Sequence, residues 1–242
     1  MNTFAGGSGA DLKQDWRKVL PVGAGAVGKQ CVAPGGDPSF PCRGGRIRTA
    51  VWTTAREPGR GGCSKALDMT MFRADLTALF ETAGMTGVDL DAAVVDEHVR
   101  SAAYRRVVAA RGGAAPRELA AVLVRDPEPL TAKTAVVELV DQVARETADP
   151  AEFRRRAAGI VAEADRLGPV KDREFVRQRA RDWEVWLETE NGRVPDVAEL
   201  ESVSDWMQRR LADFSASRQV LAVMAEHGRT KKIRNTAANR AA

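Results

Sequence analysis

Apolar residues recur every three to four positions from Phe72 to the C-terminus, the spacing that gathers them on one face of a helix. Asp68 is placed to cap a first helix whose inner face reads Phe72, Leu76, Leu79 and Phe80, ended by Gly84. A second follows Asp91, with Val95, Val99, Ala102 and Arg106–Val107 on one side, closed by Gly112-Gly113. A short third starts at Pro116, carries Leu119, Val122 and Leu123, and stops at Asp126-Pro127. Thr131 opens a fourth, with Val136, Leu139, Val140 and Val143 inward.

The best-marked start is Asp149-Pro150-Ala151-Glu152, with a capping oxygen, proline in the first turn and a reciprocal carboxylate three residues on. Phe153, Ala157, Ile160, Val161, Ala164 and Leu167 form its inner face, up to Gly168-Pro169. A sixth helix from about Asp172 carries Phe175, Val176, Trp183, Trp186 and Leu187 and ends at Asn191-Gly192. A seventh, after Pro195, carries Val197, Leu200, Val203, Trp206–Met207, Leu211 and Phe214. Two short helices complete the chain, Ser217–His227 and about Thr230–Asn239. No segment alternates with period two, and the connections are short. The expected fold is therefore all-α: an irregular antiparallel helical array, partly solenoid-like.

Composition divides the chain near Asp68. Residues 1–68 hold 13 of the 21 glycines, 5 of the 11 prolines and all three cysteines, with ten Lys/Arg against five Asp/Glu, a net +5. Residues 69–242 carry 27 basic and 28 acidic residues, a net −1. Glycine and proline at that density oppose helix and strand alike, so 1–68 is expected to be a disordered basic segment and 69–242 the all-helical domain. Two readings of the first segment stand. One is a basic arm for an acidic partner or nucleic acid. The other, which the pattern favours, is an upstream extension of a protein whose translation starts at Met69 or Met71. The opening Met1–Phe4 has neither a basic start nor an apolar stretch, so export is not expected. No apolar run approaches the roughly 18–20 residues of a membrane span, and a cytoplasmic location follows as the expectation.

Two phosphate-binding patterns overlap in the glycine-rich segment. Gly23, Gly25 and Gly28 fit G-x-G-x-x-G, and Gly23 through Lys29 fit the P-loop until Gln30 stands in place of its hydroxyl residue. Both patterns work by opening a helix on the phosphate, and Pro34-Gly35-Gly36 stops a helix here within about one turn. No nucleotide cofactor is expected. Cys31, Cys42 and Cys63 show no C-x-x-C spacing, and His98 and His227 are the only histidines, so no metal site is expected either.

Ser217-Arg218-Gln219-Val220-Leu221-Ala222-Val223-Met224-Ala225-Glu226-His227-Gly228, followed by Ile233-Arg234-Asn235-Thr236-Ala237, resembles one unit of the bacterial leucine-rich-repeat-variant and HEAT-like helical repeats. Val220, Leu221, Met224 and Ala225 take the first-helix positions, and Ile233, Arg234 and Ala237 the second. The likeness covers about 25 residues; the rest of the Ala/Arg/Val-rich chain resembles uncharacterised helical proteins of GC-rich actinobacteria. The repeat resemblance implies a binding scaffold rather than a catalyst.

Candidate chemistry is sparse. Asp96-Glu97-His98 abuts two carboxylates and a histidine, but adjacent residues do not share a helix face, and His98 reads as a packed or half-exposed histidine. Ser215 and Ser217 read as caps. No catalytic residue is assigned. Trp183 and Trp186 lie one turn apart and, with Trp206, form either a core wall or a protein-docking platform, the period favouring the core. Arg229, Lys231, Lys232, Arg234 and Arg240 follow the last acidic residue and could lie along a phosphate backbone. The leading expectation is a non-catalytic adaptor or scaffold domain with a protein partner. The alternative is a nucleic-acid-associated protein using that basic tail, and the third reading is an enzyme on a helical scaffold.

Overall fold

The computed structural model describes the backbone from residue 61 and the side chains from residue 69, through residue 242. The glycine-rich motif at Gly23–Lys29, Cys31, Cys42 and most of the expected disordered segment lie outside the described residues. Among those described there are eleven helices and no strand, so the fold is all-α. They are α1 (Gly61–Thr82), α2 (Leu90–Val95), α3 (Glu97–Arg111), α4 (Pro116–Leu123), α5 (Pro129–Glu146), α6 (Pro150–Ala164), α7 (Val170–Glu190), α8 (Val197–Ser202), α9 (Asp205–Phe214), α10 (Arg218–His227) and α11 (Lys231–Ala241).

The terminators act as their chemistry requires. Gly84 and Gly192 have φ of +63° and +91°, where a Cβ would clash, and let the chain fold back over the helix end. Met85 N–H then reaches Phe80 C=O at 2.9 Å, and Arg193 N–H reaches Glu188 C=O at 3.0 Å. One continuous core runs from Phe72 to Ala237 and includes Tyr104, Leu139, Phe153, Met207, Met224 and Ile233.

Several boundaries differ from the expectation. The first helix is not capped by Asp68; it runs through that position from Gly61. The helix expected after Asp91 is two helices, because Asp96 leaves helical geometry (φ −110°, ψ 114°) and its carboxylate accepts from His98 N–H at 2.8 Å. That break resets the rotation by about one residue. Val95 is therefore 79% exposed, Ala102 and Arg106 face solvent, and Arg100, Ala103, Tyr104, Val107 and Val108 point inward. The seventh helix is likewise two, α8 and α9, with Ser204 capping the second at Met207 N–H.

The reciprocal capping box is also misplaced in the sequence reading. Asp149 caps α6, accepting from Ala151 and Glu152 N–H, but the Glu152 carboxylate pairs with Arg156 at 3.6 Å instead. The box that closes is at α8, where Asp196 accepts from Glu199 N–H at 2.8 Å and Glu199 accepts from Asp196 N–H at 3.0 Å.

Helices α5, α7 and α9 share one face of the domain. Lys133 in the first turns of α5 pairs with Asp172 in the first turn of α7 at 3.5 Å, and Asp141 farther along α5 lies 3.6 Å from Arg179 farther along α7. The two helices are parallel. Between them in sequence, α6 runs back, its Arg154 pairing with Glu184 and Glu188 near the end of α7. Helix α9 is then tied to α7 by Asp182, which is 2% exposed and accepts from Ser204 N–H at 2.9 Å, from the Ser204 hydroxyl and from Gln178 at 2.9 Å.

Candidate docking site

On the face shared by α5, α7 and α9, aromatic rings and cations alternate. Lys133 lies 5.5 Å from the centre of the Phe175 ring, and the Arg179 guanidinium lies 5.9 Å from that ring and 3.8 Å from the Trp206 ring. Arg210 follows, 5.9 Å from Trp206, 4.8 Å from Trp183, 4.5 Å from Trp186 and 5.7 Å from Phe214. Trp183 meets Trp206 edge to face at 5.8 Å. Each guanidinium sits in the negative field of a ring face, so the stack is mutually attractive.

Helical spacing builds the ladder. Phe175 and Arg179 are four apart on α7, and Trp206, Arg210 and Phe214 are successive fourth residues on α9, so each set forms a single row. Packing α9 on α7 brings the rows side by side.

Electrostatics here are unusual for this chain. Trp183 Nε1 donates to Asp141 Oδ1 at 2.6 Å. Burial nevertheless pushes the Asp141 carboxyl above the ordinary carboxylate range, against the opposing pull of Arg179 and of the Trp183 hydrogen bond. Burial raises Glu190 as well, opposed by Arg210. The same desolvation lowers Arg210, partly offset by Asp141 and Glu190.

The three tryptophans named from the sequence do meet in one place. Trp183 and Trp186 are 3% and 9% exposed and Trp206 is half-buried, so they form a wall more than an open platform. What faces solvent is a pair of rings that the sequence pattern places inside. Phe175 and Phe214, expected on inner faces, are 49% and 48% exposed, and Arg179 and Arg210 stand beside them. The signal was present as aromatic and arginine residues four apart.

The basic tail is less free than its charge suggests. Arg229 pairs with Asp205 at 2.6 Å and donates to Glu201 C=O at 2.8 Å and Val203 C=O at 2.9 Å, closing the end of α8. Arg240 donates to Ala212 and Ser215 C=O at 2.7 and 2.9 Å, closing the end of α9, and Arg234 donates to Gly228 C=O at 2.7 Å. Lys231 and Lys232 stay exposed on the first turn of α11.

Asp96, Glu97 and His98 form no constellation: the Asp96 carboxylate caps α3, and the His98 side chain is 90% exposed. Among the described residues no group of His, Cys, Asp and Glu is arranged to hold a metal ion, and no helix is long and apolar enough to cross a membrane. A recess of about 340 Å³ between α1, α3 and α4 is lined by Leu79, Val107, Leu119 and Val122, with Asp75 and Arg125 paired at its edge. No family model, curated protein or solved structure matches the chain.

Proposed function

We propose that the helical domain is a non-catalytic protein-interaction module, an adaptor or scaffold of the bacterial cytoplasm, and that it docks its partner on the ring-and-guanidinium ladder of α7 and α9. The observation that carries this reading is the ladder's composition and exposure. Two half-exposed phenylalanines flank two half-buried arginines over a tryptophan wall. Aromatic residues and arginine are the side chains that dominate binding energy at protein interfaces, and exposed rings on a rigid backing lose little entropy on contact.

The nucleic-acid reading keeps Lys231 and Lys232, but Arg229, Arg234 and Arg240 already commit donors to backbone carbonyls. The enzyme reading gains no support from the Asp96–His98 segment, whose histidine points into solvent. The repeat resemblance remains part of the proposal: α10 and α11 pack as a helix pair over the stretch that carries it.

The experiment is site-specific photo-crosslinking of the full chain in its own cells. A photoreactive phenylalanine analogue at Phe214 is expected to give a protein adduct of defined mass, unaffected by nuclease, which the same analogue at exposed Arg105 does not give. No adduct at Phe214 or Phe175 from folded protein, or an adduct that nuclease destroys, overturns the reading.

A further inference from the structure

Every arginine of α3–α11 that is buried or half-buried donates a hydrogen bond, with two exceptions. Arg100 donates to Asp126, Arg145 to Gln142, Arg156 to Thr147, Arg173 to Asp165 C=O, Arg177 to Glu174 and Arg234 to Gly228 C=O. The Arg179 side chain is 15% exposed and Arg210 is half-buried, and neither donates one. Arg179 has Nε 3.6 Å from Asp141 Oδ1, an ion-pair separation without a hydrogen bond, and that oxygen already accepts from Trp183. Arg210 has no ion pair. Its Nε and the Nη1 of Arg179 are sealed without an acceptor, while their remaining terminal nitrogens are not sealed. A guanidinium carries five N–H donors in a rigid fork that matches a carboxylate, and leaving one half-desolvated without an acceptor is costly.

We propose that Arg179 and Arg210 form a carboxylate-binding pair, which takes the aspartate or glutamate side chains of an acidic segment in a partner protein while Phe175 and Phe214 receive that segment's apolar residues. The inference rests on the docking reading above and names the chemistry of its partner. The Trp206 ring has Arg179 at 3.8 Å and Arg210 at 5.9 Å from its centre, a spacing that two neighbouring carboxylates of one segment can span, one on each guanidinium.

Charge complementarity selects the occupant. The chain's own first 68 residues carry a net +5 and would be repelled by two cations. A nucleic-acid strand fits poorly for two reasons. Arg179 and Arg210 already occupy faces of Trp206 and Trp186, which base stacking would need. Asp141 lies near both arginines and Glu190 near Arg210, and these acids oppose a continuous run of phosphates more strongly than one or two carboxylates.

The test is selection of a random peptide display library on the full chain, with a dT12 oligonucleotide as a parallel probe. Enriched peptides are expected to carry Asp or Glu beside an aromatic or aliphatic residue. For a synthesised winner, R179Q and R210Q should each weaken calorimetric binding about tenfold or more. Changing the peptide's acid to its amide should do the same, and the combined change should be far less than additive. R210K, which keeps the charge but not the planar fork, should fall between. Circular dichroism separates loss of the site from loss of the fold, and F214A is an independent variant of the same face that should weaken binding as well.

Enriched peptides that lack acids, or acidic ones indifferent to both arginine changes, overturn the carboxylate pair. If those peptides still depend on Phe175 and Phe214, the docking reading survives alone. No enrichment, or enriched peptides indifferent to all four residues, removes both. Binding of dT12 that R210Q abolishes makes the ladder a nucleic-acid surface and overturns the proposal.

Discussion

Asp126 gathers more of the fold than any other single carboxylate in the first half of the domain. It accepts from Arg100 Nε at 2.6 Å, Tyr104 Oη at 2.9 Å and Glu128 N–H at 2.8 Å, with its side chain wholly buried. Arg100 also donates to Ala93 C=O at 2.8 Å, so this one ion pair joins the α2–α3 break to the α4–α5 turn. Asp126→Ala strands a buried guanidinium and should cost about 3–5 kcal/mol in a urea unfolding titration. Glu190 makes a gentler test. Its carboxyl is raised by burial, so the folded chain binds that proton more tightly than the unfolded one. Stability is then lost as pH rises from about 4 through the folded value. Against Glu190→Gln, the wild-type urea midpoint should fall progressively behind as pH is raised towards neutrality; a gap constant with pH would contradict a desolvated carboxyl on this surface residue. Neither residue was legible beforehand. Asp126 beside Pro127 reads as a helix stop, which it is, and sequence has no means of showing that an arginine 26 positions earlier turns inward to meet it. The ladder was half legible: a four-residue spacing says that Arg210 can reach Phe214, but not that α9 lies against α7.

At the scale of the helix, residues that punctuate the chain were read well when their chemistry was local. Gly84, Asn191-Gly192, Ser217 and Thr230 all end or begin elements where expected, because each needs only its own φ or a donor within three residues. The breaks at Asp96 and Ser204 were missed because a continuous apolar period runs across both, and only packing decides that the helix turns there. This predicts a contrast between two glycines. Gly84→Ala should lose about 1–2 kcal/mol, the penalty for a Cβ at positive φ. Gly168→Ala meets no atom within 4 Å and has no positive φ, so it should be neutral or slightly stabilising by thermal melting. The basic tail offers a second contrast. Arg229→Ala and Arg240→Ala remove donors from the ends of α8 and α9 and should lower the unfolding midpoint, whereas Lys231→Glu and Lys232→Glu should change stability by less than about 0.5 kcal/mol. Equal effects from all four would mean that the arginine–carbonyl bonds contribute nothing.

Across the whole domain, the all-α class was open to sequence reasoning because every buried face repeats at helical period. The side-by-side arrangement of α5 and α7, two elements apart in the chain, was not, since it depends on Lys133–Asp172, Asp141–Trp183 and the bond from Asn191 to Ala148 C=O at 2.9 Å. Gln208 does the same for the C-terminal part: 1% exposed, it donates to Leu200 C=O at 2.6 Å and accepts from Arg229 N–H at 2.8 Å, fastening α8, α9 and the α10–α11 turn at one point. The tail that reads as a basic appendage is thereby part of the folded body.

The tryptophan wall has an optical consequence. Three of the chain's five indoles surround Arg210, two of them edge to face, and one indole N–H donates to the Asp141 carboxylate. Their excited states should respond to the charge beside them, so the emission of these three indoles reports on the contact between α7 and α9. A melt followed by fluorescence and one followed by helix content need not coincide, and the difference between them would measure how independently that contact comes apart.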